Sequence, residues 1–128
     1  MSVRPYPLLA ACTAAALAAV VAVSRLERVV VHGASMRPAL EPGDRLVVVR
    51  GLRPRPGDVV AAADPRAPER VLVKRVAAVG PGGDVRLTGD DPAASTDSRH
   101  FGLVDASLVR GRAVWRYLPA ERRGRLPH

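Results

Sequence analysis

The 128-residue sequence predicts a mostly β domain preceded by one N-terminal transmembrane helix, and three observations carry that expectation. A charge-free run of 20 residues, Pro5 to Ser24, would reach roughly 30 Å as a helix, the thickness of bilayer hydrocarbon. Beyond it the pattern changes to short β-branched runs punctuated by Pro, Gly and Asp. No second helix of comparable length is evident.

The apolar run lies between Arg4 and Arg25 and contains eight alanines, so it is weakly hydrophobic and would also suit the end of a cleavable secretory signal. A retained anchor over residues 1–25 is preferred, because Arg25-Leu26-Glu27-Arg28 follows at once without a turn before a cleavage site. Arg4 stands against Arg25 and Arg28, so the positive-inside count does not fix orientation.

Strands are expected near Val29–Val31, Arg45–Arg50, Asp58–Ala62, Val71–Val79, Val85–Thr88 and Leu108–Leu118. Turns are expected at Glu41–Asp44, Arg53–Gly57, Asp64–Pro65 and Gly80–Asp84, where glycine supplies positive φ and proline removes a ladder donor. Residues 26–118 therefore read as one folded domain. The basic residues 119–128 lack periodicity and read as a disordered, solvated tail whose charge could touch lipid headgroups.

Composition narrows the function. The aromatics are Tyr6, Phe101, Trp115 and Tyr117, too few for a platform that stacks single-stranded nucleic acid. Cys12 is the one cysteine and no Cys/His cluster has zinc-ligand spacing, so neither an intrachain disulfide nor a structural metal site is expected. The net charge of +8 permits attraction to anionic lipid or nucleic acid, but the arginines are scattered through every segment and no nucleic-acid motif accompanies them.

Nineteen of the 20 basic residues are arginine, and the remaining one is Lys74. In Val71-Leu72-Val73-Lys74-Arg75-Val76, strand periodicity puts Leu72 and Val76 on the same face as the lysine. Burial there would penalise the ammonium and favour a neutral amine, a state that arginine does not reach. The bland alternative is a leftover lysine with its stem along the surface and its head in water.

A neutral lysine acts as a base only toward a hydroxyl within reach. Ser35, in His32-Gly33-Ala34-Ser35-Met36-Arg37-Pro38, is the best candidate, because small residues before it leave backbone amides free for an oxyanion. The polar stretch Gly89 to Arg99 is by default a solvent loop. Alternatively Ser95 donates a hydrogen bond that orients the amine, while Asp97 and Arg99 pair beneath the site.

Together these segments resemble the type I signal peptidases (S26-like), membrane-bound serine peptidases with a Ser/Lys dyad on a mostly β fold. Gly33 to Leu40 is similar to that family's nucleophile box, Pro56-Gly57-Asp58-Val59-Val60 to its short strand box, and Val73-Lys74-Arg75-Val76 to its lysine box. Gly89-Asp90-Asp91, then Ser95 to Arg99 and Phe101-Gly102, matches its last box. The resemblance implies Ser35 as nucleophile, Lys74 as general base, Ser95 as the hydroxyl holding the lysine, and Asp97 with Arg99 as support. Gly33, Ala34 and Met36 would line the oxyanion and substrate site. Asp91 replaces the usual Asn of that family, and Gly33 stands where some members carry an oxyanion-donating serine, so the Ser35 amide would carry most of that task.

The resemblance implies an endopeptidase that removes signal or leader peptides from precursor proteins, with membrane lipid as a partner and no nucleic acid, cofactor or metal. The short domain and the ending Val109 to Tyr117 are also similar to a small branch thought to mature nickel-type superoxide dismutase. The expected location is the cell membrane, single-pass, with the catalytic domain on the extracytoplasmic side. A Ser-His-Asp reading through His32 or His100 is disfavoured, since no nucleophile elbow surrounds them. A hypothesis of another class is a non-catalytic, membrane-tethered β module that binds peptides.

Overall fold

The computed structural model describes residues 7–127, and the chain is a mostly β domain preceded by one long apolar helix. Helix α1 (Pro7–Ser24) has a mean hydropathy of 2.1 and buries none of its residues against the protein. Arg4, Pro5 and Tyr6 of the expected anchor lie outside the described residues, as does His128.

Seven strands follow: β1 (Leu26–Val30), β2 (Arg45–Arg50), β3 (Val59–Asp64), β4 (Ala67–Val79), β5 (Val85–Thr88), β6 (Val109–Leu118) and β7 (Gly124–Arg125). They form one antiparallel sheet in the order β1-β2-β6-β3-β4-β5, with β7 added to β6. The sheet folds around two apolar clusters. Val29, Leu46, Val48, Val59, Ala61 and Val73 make the first, joined by Met36 and Leu40. Val60, Ala62, Val76, Val85, Leu87 and Val104 make the second.

Strands β3 and β4 form the wall between these clusters. Val59 and Ala61 face one, Val60 and Ala62 the other, which explains why β3 reads as an unbroken apolar run rather than an alternating one. Each fully buried Val or Leu contributes roughly 2 kcal/mol of transfer free energy. Lys74 lies opposite Val60 in the register and so points into the second cluster.

Three expectations differ from the fold, the first being β1, which runs from Leu26 to Val30 rather than from Val29 to Val31. Strand β4 begins at Ala67, before Val71, because a register shift after Ala63 lets Pro68 to Arg70 bulge without ladder partners, which a proline tolerates. The segment after Leu118, expected to be disordered, is ordered: a 3₁₀ turn at Ala120–Arg122 leads into β7, which pairs with Trp115 and Arg116. Its anchor is a charge contact with Asp44 that no local pattern announces.

Candidate active site

Ser35 lies on the connection between β1 and β2. Positive φ at Gly33 (75°) turns the chain sharply after His32, a conformation that glycine adopts without steric cost. The backbone then winds through short turns, with Arg37 N–H on Ala34 O at 3.2 Å and Leu40 N–H on Met36 O at 2.9 Å. Met36 and Leu40 plug this connection into the first cluster. Met36, expected to line the substrate surface, is only 1% exposed and packs in the core instead, because the turn that presents Ser35 points the next side chain inward.

The Ser35 side chain is half-buried, Gly33 is exposed and Ala34 half-buried. Ser35 O accepts a hydrogen bond from Asp91 N–H at 2.8 Å, so the departure at Asp91 leaves a backbone tie intact. Among the described residues neither the Ser35 hydroxyl nor its amide N–H has a hydrogen-bond partner.

Lys74 is 5% exposed. Burial pushes its pKa below the ordinary lysine value of 10.5; the Asp97 charge opposes that fall, while Arg66 and Arg99 reinforce it. Its Nζ donates to Ser95 Oγ at 3.0 Å. Ser95 in turn donates to Asp97 Oδ2 at 2.7 Å. The direction follows from chemistry: an ionised carboxylate can only accept, so the Ser95 hydroxyl proton goes to Asp97 and its lone pair takes the lysine N–H. This reverses the expectation that Ser95 donates to the amine. When the amine is neutral, this arrangement leaves its lone pair free to accept a proton.

Asp97 is fully buried and heavily engaged. Although burial alone would raise its pKa, hydrogen bonds from Arg99, from the Gly89 N–H and from Ser95 hold it well below the carboxylate range. Arg99 Nε lies 2.9 Å from Asp97 Oδ1, and Gly89 N–H 3.0 Å from Oδ2. Asp97 also caps helix α2 (Ser98–Phe101), and its own N–H donates to His100 Nδ1 at 3.3 Å. His100 is thus half of a capping box, a structural use that accounts for its closeness to Asp97.

Gly89 is where the two halves of the site meet. A Cβ at this position would overlap the Ser95 side chain and lie 2.6 Å from Ser35 O. The chain that carries Lys74's partner and the chain that carries Ser35 therefore converge on one point that only glycine can occupy.

Sequence reasoning left Arg75, Asp90 and Gly57 without roles. Arg75 grips Asp90 through two bonds of 2.8 Å and donates to Gly57 O at 2.7 Å, which ties the strand, lysine and last boxes together one residue from Lys74. Gly57 N–H and Asp58 O both bond Val76 at 2.8 Å, fixing β4 two residues beyond Lys74. A signal was present, since an arginine and an aspartate each adjoin a site residue, but the strand register that pairs them is not a sequence property. Asp44, fully buried at the end of the Ser35 connection, likewise receives Arg116 at 3.1 Å and Arg122.

The family described as "Signal peptidase, peptidase S26" matches residues 6–91, which include Ser35 and Lys74 and stop short of Ser95. The chain belongs to that family. S26 relatives extend the similarity further along it. The chain is 36% identical over 122 residues to mitochondrial ATP-independent inner membrane protease subunit 1a of Arabidopsis thaliana, covering 75% of this chain and 73% of the relative. It is 32% identical over 144 residues to mitochondrial inner membrane protease subunit 2 of Mus musculus, covering 90% and 82%. The Homo sapiens subunit 2 gives 32% over 140 residues, covering 87% and 80%. With α1 ahead of its β domain, this S26 chain is a single-pass, membrane-anchored protein of a protease family.

Proposed function

We propose that this S26 chain is a serine endopeptidase whose Ser35/Lys74 dyad removes N-terminal signal or leader peptides from precursor proteins. The observation that carries the reading is the setting of Lys74: its amine is buried and donates to Ser95, which is itself committed to Asp97, so in the neutral form its lone pair is unspent.

In the proposed reaction Lys74 Nζ takes the Ser35 hydroxyl proton as Ser35 Oγ bonds the scissile carbonyl carbon. The Ser35 N–H and its neighbours stabilise the tetrahedral oxyanion. Lys74 then returns the proton to the departing amine as the C–N bond breaks. Water, deprotonated by the same amine, releases the acyl group and restores Ser35. The hydroxyl-to-amine hydrogen bond would form when substrate fills the site, since catalytic contacts are often long or unmade in the free enzyme.

The substrate would run extended along the free edge of β1, beside a groove of about 600 Å³ whose other wall is Arg70, Val71 and Leu72 of β4. Backbone pairing on such an edge gives affinity while alternate side chains are selected by size. Residues 26–118 would form the catalytic unit, on the extracytoplasmic side. The named relatives are mitochondrial proteases, and nothing in their similarity favours a nickel superoxide dismutase leader over other leaders.

The test is to incubate the detergent-solubilised full chain with precursors bearing secretory-type leaders and with a nickel superoxide dismutase precursor, and to map the new N-termini. Cleavage after small residues that disappears in Ser35→Ala and Lys74→Arg supports the reading. Binding without cleavage in the unaltered chain would support the peptide-binding module instead.

A further inference from the structure

Ser35 has no strand to hold it. Between the end of β1 and the start of β2, from Val31 to Asp44, no residue belongs to the sheet. Lys74 is carried by β4, so the spacing of hydroxyl and amine is set by two elements that are positioned separately. The ends of the Ser35 connection are tied to each other: Val31 N–H donates to Asp44 O and Gly43 N–H to Val31 O, both at 2.8 Å. A loop closed in this way still has to be fixed against the rest of the domain.

The segment that follows β6 makes that attachment. Asp44 is fully buried; its Oδ2 accepts the Glu41 N–H at 3.0 Å and Arg116 Nη1 at 3.1 Å, and its Oδ1 accepts Arg122. Arg116 Nη1 also donates to Ala39 O at 3.1 Å, while its Nε donates to Arg122 O. One guanidinium therefore touches the middle of the connection, its last residue and the C-terminal segment. Leu126 adds an apolar contact, packing on the cluster that holds Met36 and Leu40. Strand β7 offers only Gly124 and Arg125 to the ladder, too short a strand to order the segment by itself.

Burial separates this network from an ordinary surface pair. The Arg116 side chain is 12% exposed, whereas Arg37, which pairs with Glu41 on the outside of the same connection, is 51% exposed. Exposed pairs hold little, but removing one partner from a buried pair leaves an uncompensated charge.

We infer that the C-terminal segment braces the Ser35 connection, and that Arg116 and Arg122 are positioning residues that act on Ser35 through Asp44. The catalytic part of this inference rests on the Ser35/Lys74 reading; the brace itself does not. Asp91 N–H holds the Ser35 carbonyl from the other side, so loosening the Asp44 end lets the connection pivot about that tie rather than leave the site. The hydroxyl is then aimed less accurately, while the β1 edge proposed to bind substrate is unaltered.

The experiment compares Arg122→Gln with Arg123→Gln in the detergent-solubilised full chain. Both remove one positive charge, but Arg123 is exposed and donates to Tyr117 O, outside the Asp44 network. Cleavage of a leader-bearing precursor is measured beside hydrogen exchange at the Arg37 and Leu40 amides, which bond Ala34 O and Met36 O within the connection. Arg122→Gln should lower kcat on the order of 10-fold with KM within about twofold, since aim is lost and binding is kept. It should also speed exchange at both amides. Arg122→Lys should recover part of each effect, and Arg123→Gln should match the unaltered chain. Unchanged exchange in folded Arg122→Gln would overturn the brace; faster exchange with unchanged kcat would overturn the positioning role. An unaltered chain that cleaves no precursor removes the protease reading and the positioning role with it, while exchange still decides the brace. If Arg122→Gln does not fold, native-state exchange of the unaltered chain in rising denaturant decides. The Arg37 and Leu40 amides should open together with those of Arg122 and Arg123, at one free energy and one denaturant slope, and separate openings would overturn the brace.

Discussion

Lys74 and Arg75 are consecutive cations on β4 that the strand sends to opposite surroundings. Lys74 enters an apolar cluster, meets a neutral hydroxyl, and has its pKa lowered. Arg75 meets the Asp90 carboxylate in a two-pronged pair that raises its pKa. One residue of sequence separates a basic group whose pKa is lowered from one whose pKa is raised. The contrast shows that chemistry here depends less on which basic groups are present than on whether a counter-charge touches them.

The largest effect should come from erasing the contrast. Lys74→Arg puts a permanently charged guanidinium on both sides of the strand, and cleavage should fall about 10³-fold or more, with Ser35→Ala alike. Membrane association and fold should be unchanged in Ser35→Ala, so a leader-cleavage assay beside a sedimentation assay separates chemistry from stability.

A smaller effect is expected from loosening the amine. Ser95→Ala removes the acceptor that orients Lys74 and should cost on the order of 10²-fold in kcat with little change in KM, since misplacing a catalytic group by an ångström has that scale. Gly89→Ala should lower stability by about 1–3 kcal/mol, because its methyl group meets Ser95 and the Ser35 carbonyl, and thermal unfolding measures it. On the charged side, Asp90→Asn weakens the Arg75 pair and should cost roughly 1–2 kcal/mol of stability, with activity affected only as far as β4 shifts.

The pH dependence sharpens the same contrast. Only the neutral amine is a base, so kcat/KM should climb with pH through a Lys74 pKa that lies below 10.5. Linkage has the matching sign: between the depressed folded value and the unfolded value near 10.4, the unfolded chain binds more protons, so Lys74 makes stability rise with pH across that window. Asp97 acts at the other end. Its depressed pKa gives a contribution that is full above the unfolded value near 3.9 and lost as the solution is acidified through the folded one.

Much of this was readable in the sequence. Arg45–Arg50 and Val85–Thr88 are the strands their β-branched runs and flanking glycines imply. The lysine stood out because arginine was used everywhere else, and its buried face followed from Leu72 and Val76 at a spacing of two. Less visible were features made by register and long-range contact. Nothing around Arg75 says that β5 will bring Asp90 to it, and nothing around Arg122 says that Asp44 lies within reach. The direction of the Ser95 hydrogen bond was also hidden, since it depends on Asp97 being ionised and within 2.7 Å. Met36 misled because a residue beside a candidate nucleophile reads as a lining residue until the turn geometry shows it facing the core.

The central claim is that the amine of Lys74 loses its proton more readily than an ordinary lysine. Because the chain holds a single lysine, labelling lysine with ¹³C at Cε and ¹⁵N at Nζ gives one side-chain signal, and its titration in the detergent-solubilised full chain reads that pKa directly. A midpoint well below 10.5 is predicted, moving back toward it in Ser35-intact chains that are unfolded by denaturant. A midpoint at the ordinary lysine value in the folded protein would contradict the account.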